Sequence, residues 1–225
     1  MAFEQTEAIV LRKVDFSETS RIVTFLTPYR GRMACMVKGA RRKGSPMATL
    51  LDTYNRLEIT YIWKESRQVQ LLTEATLLDS YGTVKARVES IACAAFLLEM
   101  AGLVAQDNNP APELFDATRE GLEQLAATND EPFSCTTLGV YTILNAAGFA
   151  PEIADNQFLE YVPTLPRNKQ NELCQAVITL ASGNRISEAA HIPLVMHFLN
   201  EYGRHHFEYP LKSYAFLKSM MDSTE

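Results

Sequence analysis

Seven basic side chains lie in a stretch of this sequence that contains no aspartate or glutamate. This acid-free window spans residues 19–51, in a chain whose formal net charge is −6. Clustered lysines and arginines attract polyanions, so the window predicts an anion-binding surface, with a nucleic-acid backbone as the first candidate. A solvated charged face without a ligand is the alternative. The predicted DNA-binding residues are Arg21, Arg30, Arg32, Lys38, Arg41, Arg42 and Lys43.

Glycines frame the densest part of the window, from Lys38 to Gly44. Glycine lets the backbone approach a ligand closely, and lysine or arginine contacts phosphate irrespective of base sequence. Aromatic side chains nearby are candidates for stacking on unpaired bases, although each taken alone is more often a core residue than a stacking platform. These aromatic residues are Tyr29, Tyr54, Tyr61 and Trp63.

Enzymatic chemistry finds little support in the sequence. There is no G-x-x-x-x-G-K phosphate loop and no nucleophile elbow. The carboxylates nearest the window are Asp15, Glu18 and Asp52, and their spacing predicts turn or capping residues rather than a two-metal cluster. We therefore expect no catalytic residues; a nuclease would require metal-dependent cleavage of DNA.

Metal and cofactor chemistry is not expected either. The four cysteines form no C-x-x-C pair, which predicts reduced, buried thiols and no zinc knuckle or redox dithiol. Adjacent histidines on a helix point about 100 degrees apart, so His205 and His206 favour a polar cluster at a helix end over a metal site. Glu99 interrupts an apolar helical run, as either a solvent-facing carboxylate or an acid of raised pKa.

The first 80 residues have the pattern of a small β-barrel. Five strand-like runs cover residues 6–12, 21–26, 32–38, 55–63 and 68–75, several with alternating apolar and polar residues. The longest connection joins the third and fourth runs, begins with the basic residues and ends in a predicted helical turn over 46–51. This arrangement is typical of the five-stranded oligonucleotide-binding barrel.

Helical periodicity replaces the strand pattern after Tyr81. Strong helices are predicted near 84–103, 113–125 and 132–147, weaker ones at 169–181, 190–202 and 211–221, with an irregular insertion around 149–168. The predicted class is thus α+β, with a barrel domain at 1–80 and an all-α domain at 81–225. Their net charges, +3 and −9, indicate two functional surfaces. Without a membrane-length apolar run or secretory signal, we expect a cytoplasmic, nucleoid-associated protein.

Several segments carry a family resemblance. They are EAIVLR at 7–12, SETSRIVTFLT at 17–27, GR at 31–32, VKGARR at 37–42, PELF at 112–115, GFAP at 148–151 and PLKS at 210–213. In their order and spacing they resemble the RecO family of bacterial recombination mediators. The resemblance implies an N-terminal oligonucleotide-binding barrel and a helical C-terminal domain.

The resemblance also implies a function without covalent chemistry. RecO-like proteins bind single- and double-stranded DNA and anneal complementary strands. With RecR they replace single-strand-binding protein by RecA on gapped DNA, so the implied partners are DNA, RecR, single-strand-binding protein through its acidic tail, and RecA indirectly. The alternative is a protein-interaction scaffold of the same pathway, whose barrel mainly docks a partner.

The chain departs from the family pattern in two places. Many relatives carry two C-x-x-C pairs just after the segment matching 148–151, whereas residues 152–158 here contain no cysteine, so a shortened insertion without zinc is expected. Relatives often have arginine near the positions matching 134–137, facing the acidic tail, and this chain has none there. Other basic residues are then the candidates for partner binding: Arg119, Lys169, Arg204 and Lys212.

Overall fold

The computed structural model describes residues 2–128, 131–151 and 157–223. The chain divides into two compact units, one made of Met1–Tyr81 with Ala105–Arg119 and the other of Gly82–Val104 with Glu120–Glu225. The predicted α+β class, with a five-stranded barrel followed by helices, is confirmed. The boundary drawn near residue 80 stays a prediction, and 105–119 is a later segment that groups with the strands.

Five strands form a closed barrel: β1 (Ala2–Asp15), β2 (Arg21–Thr27), β3 (Gly31–Val37), β4 (Arg56–Trp63) and β5 (Val69–Asp79). Their order around the barrel is β1-β2-β3-β5-β4. Strands β3 and β5 run parallel, whereas the other neighbouring pairs are antiparallel. A short helix, α1 (Met47–Leu50), lies in the connection between β3 and β4.

Strand β1 is longer at both ends than the predicted run over 6–12, because it serves two neighbours. Its first part pairs with β4, from Ala2 opposite Trp63 to Ile9 opposite Arg56. Its second part pairs with β2 as far as Asp15, after a register shift between Val10 and Arg12. The strand ends are mostly exposed on both faces, so they lack the regular apolar–polar alternation that would reveal them.

The barrel core is filled by alternate residues of the strands. In β2 these are Val23 and Phe25, and in β3 they are Met33, Cys35 and Val37. Each large apolar side chain buried in this way contributes about 1.5–3 kcal/mol. Two residues of the β3–β4 connection, Ala40 and Leu51, belong to the same core and are fully buried.

Helices make up most of the rest of the chain, and the weakly predicted ones are present. They are α2 (Gly82–Lys85), α3 (Val88–Val104), α4 (Pro112–Ala127), α5 (Pro132–Ala146), α6 (Arg167–Ala181), α7 (Ile192–Phe207) and α8 (Lys212–Asp222), with 3₁₀ turns at Gln157–Tyr161 and Ala189–His191. Within the described residues, none of the helices has both the length and the apolar character needed to cross a membrane.

Helix α3 is buried on most of its sides, as its nearly continuous apolar sequence predicts. Gly121 and Gly139 give it room, since a Cβ atom on either glycine would lie 2.7 or 2.9 Å from Cδ1 of Leu97. Val88, which shares the i, i+3, i+4 apolar spacing of the buried residues of this helix, is 53% exposed. Val88 is the first residue of α3, because residues 86–87 are not helical and separate α2 from α3.

Candidate nucleic-acid interface

The acid-free window forms β2, β3 and the loop that follows β3. We call residues 38–45 the basic loop and residues 16–20 the β1–β2 turn. A backbone hydrogen bond connects the two, since the Arg41 N–H donates to the carbonyl of Thr19 at 3.1 Å. The guanidinium of Arg41 also donates to the carbonyl of Ser17. These contacts hold the basic loop against the turn at one end of the β1–β2 hairpin.

The basic loop has a defined conformation. Gly39 and Gly44 have φ angles of 73° and 78°, in the left-handed region that glycine adopts without strain. The Arg42 N–H donates to the Gly39 carbonyl at 3.1 Å, closing a tight turn. Between them Ala40 is buried in the barrel core. One small apolar side chain thus anchors a loop whose neighbouring side chains are charged.

Three of the seven predicted DNA-binding residues are exposed cations without an acidic partner. Lys38, Arg42 and Lys43 are exposed, and none forms an ion pair with a described residue. They lie within six consecutive positions of the basic loop. A phosphate that binds these side chains therefore displaces no carboxylate of the described residues.

Arg21 and Arg41 share one carboxylate, that of Asp15. The Arg21 Nε donates to Asp15 Oδ1 at 2.8 Å, and the Arg41 Nε lies 3.2 Å from Asp15 Oδ2. The hydrogen bond from Arg21, with the charges of Arg41 and Arg21, lowers the pKa of Asp15 below its ordinary value. This carboxylate therefore neutralises part of the charge at the hairpin end.

Arg30 belongs to a network on the barrel rather than to an open basic surface. Its guanidinium donates to both carboxylate oxygens of Glu4, at 2.8 and 3.1 Å, and lies 4.0 Å from the ring centroid of Trp63. The Tyr61 hydroxyl donates to the same carboxylate at 2.7 Å. Burial alone raises the pKa of Glu4, but the hydrogen bonds from Tyr61 and Arg30 outweigh it, so the pKa is lowered.

Arg32 is paired with an acid from far along the chain. Its Nε lies 2.5 Å from Oδ1 of Asp107, and its N–H donates to the Gln106 carbonyl at 3.0 Å. The segment 106–111 thus borders the β2–β3 hairpin, within the same compact unit. The window is free of acids in sequence, but Glu4, Asp15 and Asp107 enter it in space.

Sequence reasoning missed two of those carboxylates, Glu4 and Asp107, and one cation; it named Asp15 but not its pairing with Arg21 and Arg41. The pairing of Asp15 with Arg21 follows from the hairpin register and could have been inferred. Nothing in the sequence indicates that Asp107 would meet Arg32. Arg12 lies outside the window, is exposed opposite Thr24, and forms no ion pair with a described residue. Its place in the alternation of β1 is the signal that would have included it.

The four aromatic candidates for base stacking differ in accessibility. Tyr61 is 1% exposed and belongs to the barrel core, so it offers no face to a base. One face of Trp63 is covered by Arg30. Tyr54 is half-buried with a positive φ of 78°. Tyr29, on the β2–β3 turn, is 69% exposed.

Three of the four candidate partner-binding residues are paired with a neighbouring carboxylate. Arg119 lies 3.4 Å from Asp116, and the ammonium of Lys169 lies 2.6 Å from Glu172. Arg204 donates to Glu201 at 2.5 Å. The Lys212 ammonium lies 5.8 Å from the Tyr209 ring and forms no ion pair with a described residue.

Residues 134–137, where the family resemblance implied arginine and this chain has none, lie inside the helical unit. Ser134, Cys135, Thr136 and Thr137 are all buried on α5. The Ser134 hydroxyl donates to the Ile186 carbonyl at 2.8 Å, and the Thr136 hydroxyl donates to the carbonyl of Pro132 at 2.7 Å. These side chains satisfy their hydrogen bonds locally, so this part of α5 presents no basic surface to an acidic tail.

No group of three or more histidine, cysteine or acidic side chains suited to a metal ion occurs among residues 2–128, 131–151 and 157–223. The expected zinc-free insertion stays a prediction, because residues 152–156 lie outside the described part. The four cysteines are free thiols, and burial raises the pKa of Cys35 and of Cys93 to about 12. Such thiols are poor nucleophiles and poor metal ligands at neutral pH.

The histidine pair packs against an aromatic ring. His205 and His206 lie in the last turn of α7, where Tyr161 packs on both rings at centroid distances of 4.9 and 5.3 Å.

Glu99 is neither simply solvent-facing nor isolated in an apolar site. Its carboxylate accepts hydrogen bonds from the first N–H groups of α8, at Lys212 and Ser213.

A closed five-stranded barrel with exposed cations on the loop after its third strand defines a protein of the oligonucleotide-binding barrel class. Two family models match the chain: "Recombination protein O N terminal" over residues 1–81 and "Recombination protein O C terminal" over residues 86–157. The chain belongs to the RecO family.

Individual relatives agree with the family match. The chain is 42% identical over 111 residues to the DNA repair protein RecO of Rhodopirellula baltica, covering 49% of this chain and 41% of that protein. It is 30% identical over 121 residues to that of Salinibacter ruber, covering 54% and 46%. With that of Exiguobacterium sibiricum it is 29% identical over 150 residues, covering 67% and 59%. The matched segments therefore span about half the length of these relatives.

Proposed function

We propose that this protein is a DNA-binding recombination mediator that acts in DNA repair without making or breaking covalent bonds. Membership of the RecO family supports this proposal, and so do the relatives named as DNA repair proteins. The observation that carries it is the basic loop, where Lys38, Arg42 and Lys43 are exposed and have no acidic partner among the described residues. A role on the bacterial chromosome would place the protein in the cytoplasm.

Capture of DNA on this loop is electrostatic. Lysine and arginine displace counterions from the phosphate backbone, which gives affinity that depends on salt and not on base sequence. Because Ala40 anchors the loop and Arg41 ties it to the β1–β2 turn, the cations are held in place before DNA arrives. A strand held by its phosphates keeps its bases available to a complementary strand, which is the requirement for annealing.

Partner exchange is the second part of the proposal. The protein would act with RecR to replace single-strand-binding protein by RecA on gapped DNA. The sequence from 81 onward has a net charge of −9, which makes it a poor general surface for DNA and a better one for protein partners. Of the candidate cations for an acidic tail, Lys212 is the one whose ammonium has no carboxylate partner among the described residues.

The deciding experiment removes the three free cations together, as Lys38→Ala/Arg42→Ala/Lys43→Ala. If three phosphate contacts are lost, the slope of log K against log salt on single-stranded DNA should become shallower by about 2. The matched control removes three exposed cations from the helical unit, as Arg167→Ala/Arg185→Ala/Lys218→Ala, with the same change of net charge. Equal slopes for the triple variant and the wild type would refute the assignment of the basic loop.

A scaffold whose barrel mainly docks a protein is the second candidate. It is favoured by the pairing of Arg21, Arg30, Arg32 and Arg41 with carboxylates, which leaves a smaller basic surface than the sequence predicts. Strand annealing in the presence of single-strand-binding protein separates the two candidates. The mediator reading requires annealing to fail in the triple variant while RecR is still retained. The scaffold hypothesis requires annealing to persist in the triple variant while RecR is no longer retained.

A further inference from the structure

Phe16 is a large apolar side chain that the barrel leaves in solvent. It lies in the β1–β2 turn, directly after Asp15, and 59% of its surface is exposed. A polar or small residue would serve the turn equally well, since turns favour Gly, Pro, Asn, Asp and Ser. The exposed phenyl ring therefore has no structural role in the barrel core.

The turn that carries Phe16 is held in one conformation. The N–H of Phe16 donates to the Ser20 carbonyl at 3.1 Å, and the N–H of Ser20 donates to the Ser17 hydroxyl at 3.2 Å. Arg41 fixes the turn from outside by its hydrogen bonds to the carbonyls of Thr19 and Ser17. An aromatic ring on a restrained turn loses little conformational entropy when a ligand packs on it.

The surroundings of Phe16 combine cations and apolar surface with two carboxylates. Asp15 is paired with Arg21 and Arg41, and Glu18 is exposed in the same turn. The basic loop that is hydrogen-bonded to this turn carries Lys38, Arg42 and Lys43. On the outer face of the barrel, a row of apolar residues crosses four strands in register and reaches β1 two residues before Phe16. The row consists of Val14, Ile22, Met36 and Leu71.

We propose that Phe16 stacks on an unpaired base of single-stranded DNA whose phosphates lie on the basic loop. Cations beside an exposed aromatic ring suit a ligand with both phosphates and π-faces, and unpaired strands offer both. In a duplex the base faces are already stacked, so Phe16 adds affinity for single strands alone. The inference rests on the proposed function and assigns to the turn the preference for unpaired DNA.

The test compares Phe16→Ala with the wild type on oligothymidylate, on an abasic strand of equal length and on a blunt duplex. Loss of one stacked base should weaken binding to oligothymidylate roughly five- to a hundredfold. Affinity for the abasic strand and the duplex should not change, and neither should the salt slope. Phe16→Tyr, which keeps an aromatic ring, should bind oligothymidylate about as tightly as the wild type does.

Phe3→Ala is the matched control, because Phe3 is 74% exposed on the same barrel but lies at the opposite end of β1. It should bind all three DNAs as the wild type does. Unchanged affinity of Phe16→Ala for oligothymidylate, or an equal loss on all three DNAs, would overturn the stacking role. The two proposals fail separately, since loss of the DNA site on the basic loop would show in the triple lysine–arginine variant and not in Phe16→Ala.

Discussion

Asp15 accepts a hydrogen bond from the Nε of Arg21 across the end of the β1–β2 hairpin, at 2.8 Å. The same carboxylate lies 3.2 Å from Arg41, on the loop that follows β3. One acidic side chain thus neutralises two arginines of the acid-free window. The charge available to a ligand at this end of the barrel is set by contacts as well as by composition.

Replacing Asp15 by Asn should strengthen binding to DNA. The change removes a negative charge beside the basic loop and releases Arg21 and Arg41 to contact phosphate. With one or two further phosphate contacts, the salt slope on single strands should steepen by about 1. Salt titrations of fluorescent oligonucleotide binding measure both the affinity and the slope.

Asp116→Asn is the control for this prediction, because Asp116 also pairs with an arginine, Arg119, at 3.4 Å. It changes net charge by the same amount on α4. A gain in affinity common to both variants would mean that net charge, and not the release of Arg21 and Arg41, is responsible.

Gly31 is the position in the barrel least tolerant of a side chain. Its φ is +53°, and an added Cβ would lie 2.3 and 2.6 Å from the backbone carbonyl oxygens of Asn109 and Gln106. We expect Gly31→Ala to destabilise the protein by roughly 2–4 kcal/mol, from overpacking together with the left-handed backbone. The free energy of unfolding in urea measures this loss.

Gly44→Ala separates the two contributions to that loss. Gly44 has a φ of +78° with no atom within 4 Å of the added Cβ, so this variant pays only for its backbone conformation, about 1 kcal/mol. If Gly31→Ala costs no more than Gly44→Ala, the segment 106–109 is not packed on Gly31 as described.

The network around Glu4 should make stability depend on acid pH. The pKa of Glu4 is lowered in the folded protein, since the hydrogen bonds from Tyr61 and Arg30 outweigh burial. The contribution of the Glu4 carboxylate to the free energy of unfolding is therefore complete above its pKa in the unfolded chain, near 4.3. It is lost as pH falls through the lower pKa of the folded protein. The stability difference between wild type and Glu4→Gln should be present at neutral pH and shrink below about pH 4.

Urea unfolding at a series of pH values measures this difference. Glu58→Gln is the control, because it removes an exposed carboxylate from β4 of the same barrel without affecting Arg30. A stability difference for Glu4→Gln that stays constant from neutral to acid pH would show that the carboxylate does not act through its charge.

The architecture of the barrel was predictable because its strands alternate apolar and polar residues, and the basic loop was predictable because its cations are contiguous. The ends of β1 were not, since residues 2–5 and 13–15 show no regular alternation and enter the sheet only through their pairing with β4 and β2. Local sequence patterns contain no information about such pairing.

The electrostatics of the site were harder to predict than the fold. Arg32 and Asp107 are 75 residues apart in sequence and meet only because the segment 106–111 borders the β2–β3 hairpin. Arg30 was expected to face DNA but is held by Glu4, which comes from the start of the chain. Long-range ion pairs of this kind depend on the tertiary structure, so a count of local charges overestimated the free basic surface.

Glu99 should stabilise α8, although it belongs to α3. Its two carboxylate oxygens accept the N–H groups of Lys212 and Ser213 at 3.0 and 2.8 Å, and the Ser213 hydroxyl at 2.5 Å. The residue before the helix, Leu211, has no side chain able to cap it. Glu99 therefore satisfies N–H groups that have no partner inside the helix, and its charge favours the positive end of the helix dipole.

Replacing Glu99 by Ala should cost about 1–3 kcal/mol of stability and expose the start of α8. Hydrogen exchange of the amides of Lys212 and Ser213 should accelerate, whereas exchange in the middle of α3 should not. Ser213→Ala should cost less, because the two backbone hydrogen bonds remain. Arg204→Ala, which removes the 60% exposed partner of Glu201 on α7, should cost only a few tenths of a kcal/mol. Equal protection of the α8 amides in Glu99→Ala and wild type would disprove the capping role.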